Sequence, residues 1–126
     1  MAAAAYFGLQ AVLGVLLWVG VFNSDDVRSW LDLVPALPEV TNAFLPADAV
    51  LIVCSTLAAG ALLRCRPWAV VPVLLTAGGI VYPTAYLVGW VVTTDGTAEV
   101  ALGIMLTASF LSCWFAMLVW RARRRP

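Results

Sequence analysis

The sequence has no histidine and no lysine, and only 11% of its residues are charged. Without histidine there is no bis-histidine haem, no usual catalytic zinc set and no serine–histidine triad. Cys54, Cys65 and Cys113 form no C-x-x-C pair, and neither a glycine-rich phosphate loop nor an N-x-S/T acceptor is present. Net charge is zero, and the basic residues cluster in a short tail. Nucleic acid is therefore not an expected partner. The spacing of the acids matches no cation-binding loop, so neither a metal nor a cofactor is expected.

What the chain has in quantity is oil. It is 63% hydrophobic over 126 residues, which excludes disorder and argues against an ordinary soluble domain. The stretch Trp68 to Val92 runs 25 residues without a charge. At about 1.5 Å per helical residue it reaches roughly 37 Å, enough to cross a hydrocarbon core of about 30 Å with some tilt. Three further runs, about 2–22, 46–63 and 97–120, complete an all-α membrane protein of four transmembrane helices in one domain, 1–126. The first run could pass for a signal peptide, but no basic n-region and no A-x-A-like site accompanies it, so a retained span is expected.

Connections carry the charge. Residues 23–45 are expected to form an external cap. Ser24 or Asp25 caps a short amphipathic helix with Val27, Trp30, Leu31 and Val34 on one face, lying on the membrane. Six of seven arginines fall in the 64–67 turn and the 121–126 tail. Basic short loops stay cytoplasmic, so both termini are expected inside, at the cell membrane. All seven acids then collect on the outer side.

Pro83 interrupts the central span. It removes a backbone donor and frees the carbonyl four residues back, at Gly79. A kink is expected between them, with a hydroxyl, a water or a neighbouring helix satisfying that carbonyl. Gly78, Tyr82, Ala85 and Gly89 share one stripe, and Ala85–Gly89 has the small-xxx-small spacing of close helix pairs. Either this is a bent packing helix, or the bend opens a cavity lined by Tyr82, Tyr86 and Trp90. Ala4–Gly8 is a second small pair. Gln10, the one strongly polar residue of the first run, reads as interhelical glue or as a pathway residue.

Asp48 and Glu99 each begin a span from the outer side, and Asp95 sits in the adjoining turn. As structural residues they complement helix dipoles and make the turn. As an active site they would be catalytic acids: a carboxylic acid kept protonated beside an apolar cavity donates a proton to an isoprenoid double bond or epoxide. Trp30, Tyr82, Tyr86 and Trp90 would be the aromatic, ligand-binding walls that steady the cation. Most of the tryptophans have a simpler reading as an interfacial belt. Cys65, between two arginines, is positioned for acylation or is an unreactive cysteine.

Length and span count are those of small multidrug exporters and small fluoride channels, but the residues are not. The exporters carry a membrane-embedded glutamate in the first span, where this chain has Gln10. The Asn- and Phe-containing motifs of the fluoride channels are missing. Three functions follow from the residues. The first is a binding or accessory subunit that holds a lipid or isoprenoid, or a membrane protein partner or second copy, in an outer-leaflet aromatic and acidic pocket. The second is an intramembrane acid-catalysed enzyme of cyclase or isomerase type. The third is a small oligomeric transporter, against which the lack of a charge deep in any span argues.

Overall fold

The structure is a computed structural model and describes residues 1–29, 31, 41–93 and 99–124. Among these there is no strand. The helices are α1 (Ala2–Asn23), α2 (Asp25–Ser29), α3 (Leu45–Leu63), α4 (Val70–Thr93) and α5 (Glu99–Arg123), with a 3-10 turn at Pro67–Ala69 before α4. α1, α3, α5 and α4 with its leading turn are long and apolar enough to cross a membrane. They fall on the expected runs. The outward faces are as apolar as the inward ones. Leu16, Val50, Leu75 and Phe110, one from each long helix, are all exposed.

Local chemistry sets the boundaries. Ser24 Oγ accepts from the Val27 amide, which caps α2 as its sequence position implies. Pro46 stands in the first turn of α3, where its missing amide costs nothing, and Asp48 sits in the same turn. The rest of the expected cap helix, Trp30 and residues 32–40, lies outside the described residues, as do 94–98. α3 ends in a Schellman arrangement: the Cys65 amide donates to Leu62 O and the Arg66 amide to Ala61 O. That geometry needs a left-handed residue after the cap. Cys65 supplies it at φ 51°, a conformation glycine adopts at far lower cost.

Packing follows chain order. α1 lies along α3, α3 along α4, and α4 along α5. One core cluster gathers Phe7, Ala58, Val73, Ala77, Ala116 and Val119, so the start of α1 meets the ends of α3 and α5. A second cluster, Leu87 and Ala101 with Leu31, Phe44 and Trp90, closes the opposite end. Small residues set the approach of α1 to α3. Ala4 is buried, and a Cβ at Gly8 would stand 3.8 Å from that of Ala59. At Gly14 a Cβ would meet Ile52 Cγ1 at 2.8 Å, so a side chain there would push α3 away.

α4 runs through Pro83 as continuous helix. No hydroxyl is found on the freed Gly79 carbonyl among the described residues; the nearby hydroxyls act one residue later, on Ile80 O. Thr84 Oγ1 donates to Ile80 O at 2.7 Å and lies 2.6 Å from Ser109 Oγ, which also reaches Ile80 O. Thr84 and Ser109 are both buried, so α5 supplies a polar group where α4 is weakened.

Candidate functional site

The bundle does not close evenly. α1 meets α5 over a short stretch near one end. There Tyr6 Oη donates to Ala108 O at 2.9 Å and lies 2.9 Å from Ser112 Oγ, which donates to Gln10 Oε1 at 3.3 Å. Tyr6 also stacks on Phe115, with ring centroids 4.8 Å apart. Gln10 thus bridges α1 to α5, the glue role its position suggested.

Beyond this clasp the two helices part, leaving a cleft of about 820 Å³. Its lining includes Leu9, Leu13 and Leu16, exposed residues from the middle of α1, so it opens on the flank of the bundle. This is within the size range of small-molecule sites. α1 gives it Leu13, Leu17 and Trp18, α3 gives Asp48, Leu51 and Ile52, and α5 gives Gly103, Thr107 and Leu111. The lining is almost wholly hydrocarbon. A Cβ at Gly103 would touch nothing within 4 Å, so the α5 wall is open space at that point. From Tyr6 to Trp18 the α1 wall spans about 18 Å at helical rise.

The far end of the cleft carries its acid. Trp18, 7% exposed, donates from Nε1 to Asp48 Oδ2 at 2.9 Å. The bond joins α1 to α3 and holds the carboxyl against the cleft. No other described residue bonds to the Asp48 carboxyl, so Oδ1 remains open to an incoming group.

Of the residues singled out from sequence, Asp48 lines this cleft. Glu99 stands in the first turn of α5, exposed and outside the lining. Tyr82 is 79% exposed on the outer side of α4. Tyr86 is half exposed and faces Phe44 and Trp90, with ring centroids 6.5 and 6.4 Å away. Trp90 packs into the end cluster with Leu87 and Ala101. These three aromatics do not line the cleft, and Asp95 and Trp30 lie outside the described residues. The stripe around Tyr82 also faces outward: a Cβ at Gly78 or Gly89 would meet nothing within 4 Å. Sequence reasoning passes over Tyr6, reads Trp18 only as one of the interfacial tryptophans, and reads Ser112 only as part of a small and polar face of the fourth span. A buried indole or phenol needs a partner, and Tyr6 and Trp18 lie on the same α1 face as Gln10 at helical spacing, the signal that could have found them.

Comparison with family models, with curated proteins and with solved structures finds no match for this chain.

Proposed function

We propose that this is a multi-pass protein of the cell membrane, both termini cytoplasmic, that binds one apolar chain of a lipid or isoprenoid in the cleft between α1 and α5. The observation that carries the reading is the cleft itself: about 820 Å³, hydrocarbon-lined, open to the side, with one carboxyl at its end. In a bilayer such an opening faces acyl chains, and an apolar molecule enters without crossing water. The apolar exterior of the four long helices and the arginines at 64–66 and 121–125 support the insertion and its direction. The outward stripe of Gly78, Tyr82, Ala85 and Gly89 leaves a second face for a membrane partner or another copy, in keeping with a binding or accessory subunit.

The test is what leaves the membrane with the protein. Purified in mild detergent and analysed by native mass spectrometry, the wild type should carry one lipid-sized adduct, and Gly103→Leu should not. Gly103 is part of the cleft lining and a Cβ there meets no neighbour, so leucine adds its bulk to that wall without a clash. A bare wild-type protein, or an adduct unaffected by Gly103→Leu, would remove the reading.

A second reading is favoured by Asp48 alone. If the bound chain is an olefin or epoxide, Asp48 is the acid placed to protonate it, since Glu99 does not line the cleft. An Asp48→Asn protein that binds the chain yet leaves it chemically unchanged, beside a wild type that converts it, would favour the enzyme.

A further inference from the structure

We infer that the lipid held in the cleft carries an uncharged hydroxyl head seated at Asp48, and that the site rejects the phosphorylated form of the same chain. The inference rests on the binding reading above and adds the chemistry of the head group.

The cleft has polar groups at both ends, and they differ in depth. At the Tyr6 end, Tyr6, Gln10 and Ser112 bond to one another and to Ala108 O, and an apolar tail can lie against them. At the Trp18 end, Asp48 Oδ2 is taken by the indole and Oδ1 is open. Gln10 Nε2 also has no hydrogen-bond partner among the described residues, but Gln10 lies well inside α1, whereas Asp48 stands in the first turn of α3, so the head group belongs at Asp48.

Charge decides which head. The chain's basic side chains are seven arginines, and none of the six among the described residues lines the cleft. The arginine of α2, Arg28, donates to Asn42 Oδ1 at 3.2 Å and is outside the lining. A phosphate at Asp48 would meet an acidic group in a hydrocarbon wall with no cation to offset its desolvation. A hydroxyl has one proton to give and two lone pairs to offer, so it pairs with the carboxyl whether that group is ionised or neutral. Long-chain alcohols, isoprenoid or straight, share this chemistry. An ammonium head would have to be desolvated against a single carboxyl already engaged by Trp18.

Binding to the full-length protein in detergent micelles tests this, with farnesol, farnesyl phosphate, hexadecanol and farnesylamine as probes. An alcohol should bind at least about tenfold more tightly than farnesyl phosphate, a difference of about 1.4 kcal/mol. Asp48→Asn, which keeps an acceptor for Trp18 and a partner for the hydroxyl, should narrow that gap. Gly103→Leu should abolish binding of every probe. Farnesol against hexadecanol shows whether the chain is isoprenoid or straight. Equal or tighter binding of farnesyl phosphate, or preference for farnesylamine, overturns the head-group inference. If Gly103→Leu still abolishes that binding, the cleft reading survives. If no probe binds the wild type, both fall.

Discussion

Trp18 and Asp48, thirty positions apart in the chain, are joined by a 2.9 Å hydrogen bond that ties α1 to α3 at the end of the cleft. Asp48→Leu leaves a buried indole N–H without an acceptor and should cost about 1–2 kcal/mol. Asp48→Asn retains an oxygen for the indole and should cost less. Trp18→Phe removes the donor and part of the wall. In a double-mutant cycle with Asp48→Leu the two losses should be less than additive. Unfolding by sodium dodecyl sulfate in mixed micelles measures all four proteins.

The Thr84–Ser109 pair is a second tie between helices, joining α4 to α5 beside Pro83. Thr84→Val with Ser109→Ala strips both hydroxyls from Ile80 O and should destabilise by about 1 kcal/mol, the range of interhelical hydrogen bonds in membranes. A Pro83→Ala background returns an amide to Gly79 O, not to Ile80 O, so the loss should be the same in it. A loss that shrinks with Pro83→Ala would contradict this and tie the hydroxyls to the proline.

Ser55 predicts in the opposite direction. Its side chain is 1% exposed, and its hydroxyl has no hydrogen-bond partner among the described residues. Ser55→Ala removes an unsatisfied group with little change in volume, so it should be neutral or stabilising by up to about 1 kcal/mol. Ser112→Ala, on a hydroxyl that does have partners, should be destabilising in the same assay.

Cys65 reports both conformation and side. Cys65→Gly relieves a left-handed non-glycine residue and should stabilise by roughly 1 kcal/mol, whereas Cys65→Val should destabilise. As the exposed cysteine of the 64–67 turn, it should react with a membrane-impermeant maleimide in inverted vesicles and not in intact cells. Labelling from outside would reverse the proposed orientation.

The positions of the long helices were legible because uncharged length is a direct physical signal. Their ends were marked by Pro46, Pro67 and the placement of charge. Which faces meet was not legible. α1 and α3 are apolar all round, so no polar stripe distinguishes inside from outside as it would in a soluble helix. Small-xxx-small spacing is equally ambiguous: Ala4–Gly8 packs inside against α3, whereas Ala85–Gly89 faces out. Asp48 could be picked out because a carboxyl at the start of a long apolar run is conspicuous. Its partner could not, because a tryptophan near the end of such a run reads as part of an interfacial belt until the fold brings α3 beside it.

The central claim is that a lipid chain occupies the space between α1 and α5. The most direct measurement uses protein labelled with fluorotryptophan, its Trp18 resonance assigned through Trp18→Phe, in bilayers doped with chain-spin-labelled lipid. The account predicts that the Trp18 resonance broadens although the side chain is 7% exposed, and that Gly103→Leu restores it. A Trp18 resonance that stays sharp in the wild type, or broadens equally in Gly103→Leu, would contradict it.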